Sequence, residues 1–147
     1  MIALLIVTLL APVRAVSFAR YADVELRFDA GKIALVSLKL GTLDPPQPLR
    51  KWRGQFVLRV LRAGKIVDED PFDFPLLAPA ESEDVDEAHR KMAEELRRHV
   101  RATTTVRVGL PDGADALAVY DPLTKRTWPI ALKESAPAAP ASAPRAR

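Results

Sequence analysis

The chain contains no cysteine. No disulfide can staple it, no thiolate can act as a nucleophile, and a Cys-based zinc site is excluded. Anchoring as a bacterial lipoprotein, which needs a lipidated cysteine, is excluded with them. Histidine is nearly as scarce, with only His89 and His99. Ten residues apart in a segment of helical period, they stand about 15 Å apart along the axis and cannot share a metal ion. They read as solvated helix residues. Aromatic residues make up 6% of the chain, so the core must be built mostly from Val, Leu, Ile and Ala. There is no Gly-x-Ser-x-Gly elbow, no His-Glu-x-x-His and no Gly-rich phosphate loop. The net charge of +3 and pI of about 9.4 are too modest to indicate nucleic acid as a partner. No catalytic residue, metal or cofactor is assigned.

What is present is alternation. Val24, Leu26 and Phe28 point one way, with Asp23, Glu25, Arg27 and Asp29 the other. The same period runs through residues 33–40, 56–60, 106–108 and 117–120. Period-two apolar spacing bounded by Gly-containing turns marks antiparallel strands with one buried face. Three hairpins are expected, across Asp29-Ala30-Gly31-Lys32, Arg62-Ala63-Gly64-Lys65 and Pro111-Asp112-Gly113. Strand one is placed at Tyr21–Asp29, and strand two at Ile33–Leu40 with Val36, Leu38 and Leu40 on one face. Strand three runs Gln55–Arg62 with Phe56, Leu58 and Val60 inward, and strand four Lys65–Asp68. Phe72, Phe74 and Leu76 suggest a short edge strand. Thr103–Leu110 and Ala116–Tyr120 make the last full hairpin, and Thr127–Leu132 the final strand. The segment Gly41–Pro48 holds Pro45, Pro46 and Pro48, which cannot donate ladder hydrogen bonds, so it reads as a crossover loop between sheets.

Between Ser82 and Arg101 the period changes. Val85, Ala88, Met92, Leu96 and Val100 fall at helical spacing as a narrow apolar stripe. Ser82 or Asp84 can cap the start, acids lead and arginines close, as the helix dipole favours. Asp86 with Arg90, Glu87 with Lys91 and Glu94 with Arg98 are acid-before-base pairs four apart. The reading is a mostly β chain: an antiparallel, Ig-like β-sandwich of about seven strands with one inserted amphipathic helix.

The first ten residues are uncharged and mostly apolar, followed by Ala11-Pro12-Val13-Arg14-Ala15. An apolar stretch, a breaker and small residues at −3 and −1 fit a secretory signal peptide cut near Ala15. The run is too short to span a membrane, which needs about 20 apolar residues. The competing reading is a buried first strand, but an all-apolar strand ill suits a half-solvated antiparallel sheet. The organisation expected is a signal peptide at 1–15, the sandwich at 16–134 and a disordered Ala/Pro-rich tail at 135–147, in a periplasmic or secreted protein.

Two clusters invite a functional reading. Asp68, Glu69, Asp70 and Asp73 form an acidic run, but the alternating calcium-loop pattern with its Gly bend is missing. Charge that protects an edge strand from pairing explains the run equally. Arg50-Lys51-Trp52-Arg53 is the one basic-aromatic cluster, and Arg59 and Arg62 extend it along strand three. Such residues can grip a polyanion or a sugar. The ordinary alternative has Trp52 packed inside the sandwich, as in Ig-like folds, with solvated arginines around it. Exposure of Trp52 separates the two.

The stretches Gly54–Val67, Phe72-Asp73-Phe74-Pro75, Val106–Ala114 and Leu117–Asp121 resemble Ig/fibronectin-like accessory domains of exported bacterial proteins. These include the non-catalytic N-terminal domain of some secreted metallopeptidases. The resemblance implies fold and export, not an activity, and the long charged helix departs from it. The function expected is a non-enzymatic exported sandwich that binds a protein or envelope component, with Arg50, Lys51, Trp52, Arg53 and Arg59 as candidate binding residues. The alternatives are a polyanion- or carbohydrate-binding module and a small hydrolase.

Overall fold

The structure, a computed structural model, describes residues 16–75 and 87–132. The expected signal peptide with its Ala15 site and the Ala/Pro tail lie outside the described residues, as do Leu76, Ser82, Asp84, Val85 and Asp86. Seven strands and one helix follow in the order β1 (Ser17–Asp29), β2 (Lys32–Pro48), β3 (Phe56–Arg62), β4 (Lys65–Phe72), α1 (Glu87–Arg97), β5 (Arg101–Gly109), β6 (Ala116–Asp121) and β7 (Arg126–Ala131). They form two antiparallel sheets, A in the order β2-β1-β5 and B in the order β4-β3-β6-β7. The described residues form a β-sandwich with one helix. Among the described residues no helix is long and apolar enough to cross a membrane.

Each sheet turns its alternating apolar face to the other. Val24, Leu26 and Phe28 of β1 meet Phe56, Leu58 and Val60 of β3, and Leu117, Val119 and Ile130 close the layer. Phe28, Phe56, Phe72 and Phe74 cluster at one end with ring centroids 5.1–6.0 Å apart. Few aromatics suffice because they are concentrated there. Two hairpins turn as expected: Ala30 (φ 50°) with Gly31 (φ 81°), and Ala63 (φ 49°) with Gly64 (φ 75°). Positive φ at both central residues is the type I′ turn, whose twist matches that of the flanking strands.

The third expected hairpin does not exist. β5 pairs with β1 in sheet A, whereas β6 pairs with β3 and β7 in sheet B. Residues 110–115 bend at the Pro111-Asp112-Gly113 turn and then cross between layers. Leu110 N–H bonds to the Arg20 carbonyl in one sheet, and Asp115 N–H to the Leu61 carbonyl in the other. Alternation gives a strand its buried face but not its neighbour, and this connection is long enough for the ~10 Å between packed sheets. Sheet B contains the β3-β6-β7 order of an Ig C-F-G sheet with β4 added. Sheet A departs from Ig order by placing β1, not β2, at its centre.

Three boundaries move. Gly41–Pro48 is not a crossover loop but the end of β2, paired as far as Ser17 with Pro48. The prolines are tolerated because β2 is an edge strand. A bulge at Val36 leaves that side chain exposed and restores the inward phase at Leu38, so Val36, Leu38 and Leu40 do not share one buried face. β4 extends through Phe72 instead of stopping at Asp68, and Phe74 is buried beyond its end.

The helix ends earlier than expected and is rotated. It spans Glu87–Arg97, with Met92 and Leu96 on the solvent side at 64% and 65% exposure, while Arg97 is buried. The phase comes from the chain that follows. β5 begins at Arg101, and Ala30 N–H bonds to the Val100 carbonyl. Val100 is thereby drawn toward the core, and Arg97 lies three residues earlier on the same face. The Glu87–Lys91 pair forms at 3.7 Å, but Arg98 pairs with Glu95 at 2.9 Å, not with Glu94.

Candidate functional site

The chain changes sheets at residues 49–55, between the end of β2 and the start of β3. This segment is strapped against edge strand β4. A Cβ at Gly54 would land on the Phe72 carbonyl, so only glycine lets the two backbones approach so closely. Gln55 N–H donates to Asp73 Oδ1 at 2.7 Å. Lys51 Nζ donates to Asp68 Oδ1 and, at 2.9 Å, to the Glu69 carbonyl, and it lies 3.6 Å from Asp70 Oδ1.

The acidic run is therefore structural on two of its members. Asp68 and Asp70 sit opposite Val60 and Leu58 on the inward side of β4. Inward-pointing charge on an edge strand, with Pro71 beside it, discourages pairing with another chain. Burial, reinforced by the neighbouring Asp68 carboxylate, raises the Asp70 pKa above the usual 3.8 despite the opposing pull of Lys51. Burial works against the Lys51 charge, but its bond to Asp68 and the fields of both carboxylates outweigh it and raise the ammonium pKa. Asp68 Oδ2 is buried without a hydrogen-bond partner. Among the described residues no three His, Asp or Glu side chains are placed to hold a metal ion.

With the strap in place, the loop presents a small surface. Trp52 is 59% exposed and does not pack into the sandwich, which overturns the ordinary reading of that residue. The Arg50 guanidinium lies 4.2 Å from the centroid of the Trp52 ring. Arg50 and Arg53 are exposed and make no ion pair or hydrogen bond among the described residues. The five candidate residues thus divide. Arg50, Trp52 and Arg53 are left exposed on the loop, with Arg50 over the indole, and Lys51 serves as the clamp. Arg59 is engaged on sheet B, bonded to Glu69 Oε1 at 2.9 Å and stacked 3.8 Å over Tyr120. Arg62 reaches only the Asp112 carbonyl, at 3.4 Å. The loop can offer an indole plane for stacking and two guanidinium groups for oxyanions.

A second polar centre was invisible in the sequence. Arg97 donates from Nη1 to Asp121 Oδ2 at 2.8 Å and from Nη2 to Gln55 Oε1 at 2.9 Å, over the Phe56 ring. Asp121 also accepts from Leu123 N–H at 3.0 Å and Thr124 Oγ1 at 2.9 Å. Arg97, Asp121 and Thr124 border a pocket of about 100 Å³ with Phe28, Glu94 and Arg126. Ligand pockets usually measure about 300–1,000 Å³, so this one suits water or a small ion. His99, exposed at the end of this turn, lies 3.9 Å from Glu95. No protein-family model, curated protein or solved structure matches the chain.

Proposed function

We propose that the chain is an exported, non-catalytic binding module that takes an anionic carbohydrate polymer of the cell envelope on its crossover loop. The observation that carries the reading is the exposed Trp52 with Arg50 stacked upon it and Arg53 beside it, neither guanidinium neutralised among the described residues. A sugar ring would lie on the free indole face, and its carboxylate or sulfate groups would meet Arg50 and Arg53. Gly54, the Gln55–Asp73 bond and the Lys51 clamp hold the loop in place, so little ordering entropy opposes binding. Binding residues on a loop fixed by a rigid scaffold are the usual arrangement in such sandwiches. The accessory-domain resemblance and the apolar run before Ala15 support the exported setting.

The test is titration of the chain with an acidic polysaccharide such as alginate or heparin, following tryptophan fluorescence. Trp128 is partly buried, so the change should come from Trp52. Trp52→Ala should weaken binding at least ten-fold, and Arg50→Ala with Arg53→Ala should weaken it and flatten its salt dependence. Equal affinity of the triple variant, with its melting temperature unchanged, would overturn the reading.

A further inference from the structure

The two outer faces of the sandwich differ in kind. Sheet A turns out charge along every strand: Asp23 is held by Arg107 through two hydrogen bonds of 2.7 and 2.8 Å, and Asp29 by Arg101 at 2.9 Å. On sheet B the register gives an outer face of three rows across four strands, and its only charges are Arg59 and Glu69, bonded to each other. This face is also graded in size. Its β4–β3 half carries Pro71, Val57, Leu61 and Ile66, the last 49% exposed. Its β6–β7 half carries Ala116, Ala131, Pro129 and Thr127, with Ala118 buried and Tyr120 covered by the Arg59 guanidinium.

We infer that this face docks onto the same face of a second copy. A two-fold axis lying in the interface, parallel to the strands and between β3 and β6, lays the large half of each copy on the small half of the other. It sets Leu61 over Ala116 of the second copy and Ile66 over Ala131, and it leaves the two Arg59–Glu69 pairs on opposite sides of the axis. Such a surface is self-complementary, as an isologous interface must be. The edges point the same way. Asp68, Asp70 and Pro71 blunt β4 and Pro129 blunts β7, so sheet B is guarded against edge pairing while its face is left apolar. Four strands at about 4.8 Å and six residues at about 3.3 Å give a projected face of about 400 Å² per copy. Specific stable interfaces bury about 800 Å² per partner. The dimer is therefore weak and reversible.

Sedimentation velocity of the full chain from about 5 to about 500 µM tests this. The expected result is monomer at the low end and a rise in weight-average sedimentation coefficient toward dimer at the high end. Ala131→Arg and Ile66→Asp, each at an exposed position, should weaken association at least ten-fold without lowering the melting temperature. Val36→Asp, on sheet A, should leave association unchanged. A monomer throughout the range overturns the inference, and so does a dimer indifferent to both sheet B substitutions. Hydrogen exchange adds a further readout. Protection of β3 and β6 should grow with concentration. Protection of β3 and β6 that does not grow with concentration overturns the proposal, and protection gained instead around Met92 and Leu96 would move the interface to the helix and overturn it too.

Discussion

Removing the Asp121 carboxylate should be the most damaging single change at a polar residue of this fold. In Asp121→Ala the Arg97 guanidinium, 7% exposed, keeps only Gln55 Oε1 as a partner. Leaving one member of a buried ion pair uncompensated costs about 3–5 kcal/mol. The Leu123 N–H and the Thr124 hydroxyl lose their acceptor as well, and each such bond contributes about 0.5–1.5 kcal/mol. A folded unit of about 110 residues gains about 0.23 kcal/mol of unfolding entropy per degree, so each kcal/mol lowers the melting temperature by about 4 °C. The ion pair alone corresponds to a drop of about 12–20 °C, to which the two lost bonds add, large against a total stability of about 5–15 kcal/mol.

The double variant separates this account from simple loss of contacts. Arg97→Met keeps much of the side-chain volume but leaves Asp121 with two donors in place of three, an expected loss of about 3 kcal/mol. In Arg97→Met with Asp121→Ala no buried charge remains at this site, and the Gln55, Leu123 and Thr124 bonds are missing. The pair should fall no further than either single change, an interaction of about 3 kcal/mol. Urea melts followed by far-UV circular dichroism measure all four proteins. Additive losses, or an Asp121→Ala variant within about 1 kcal/mol of the parent, would refute the claim that the pair acts as a unit and fixes the phase of α1.

Three further outcomes are expected. Ala63→Asn should raise stability by about 0.5–1 kcal/mol, because Ala63 sits at φ 49° in a type I′ turn where asparagine is at ease; a thermal melt checks it. Asp70→Asn should gain on the parent as pH rises from 3 to 7. A carboxyl whose folded pKa is raised contributes fully below its ordinary value of 3.8 and loses that contribution as pH climbs through the raised one; urea melts along the pH series would show the parent gaining on the variant if the direction were wrong, and a constant gap if there were no shift. Met92→Lys and Leu96→Lys should each change stability by less than about 0.5 kcal/mol, since both side chains face solvent; losses near 2 kcal/mol would return the stripe to the core.

Legibility in the sequence followed the locality of each signal. The inward residues of β1 and β3 and the two Gly turns were readable because period and turn chemistry are encoded within a few residues. Partner choice was not. The third hairpin failed because residues 106–108 and 117–120 alternate identically whether they pair with each other or with β1 and β3. The prolines of Gly41–Pro48 rule out a central strand, and the step from there to a crossover loop passes over the edge strand they permit. The helix failed for a related reason. Its apolar stripe gives a preferred face, but the short link from Arg97 to β5 and the reach of one arginine to Asp121, twenty-four residues on, set the actual rotation.

The crossover loop was readable as a cluster but not as an arrangement. Sequence put Arg50, Lys51, Trp52 and Arg53 together by adjacency, which treats four neighbours as equivalent. Only the register of β4 tells them apart. Asp68 and Asp70 face inward there, so their charges must be met from within reach of the edge, and Lys51 is the cation that meets them. Taking that lysine out of the exposed set leaves two arginines flanking a tryptophan. The same register made the sheet B face legible. Arg59 joins the basic cluster in the sequence because it lies on the outward face of strand three, and it does lie there, but the strand pairing sets it between Glu69 and Tyr120, on a face whose remaining residues are mostly apolar. A cation neutralised by its neighbour and laid flat on an aromatic ring serves that surface by removing charge from it, which is the opposite of what a polyanion site requires.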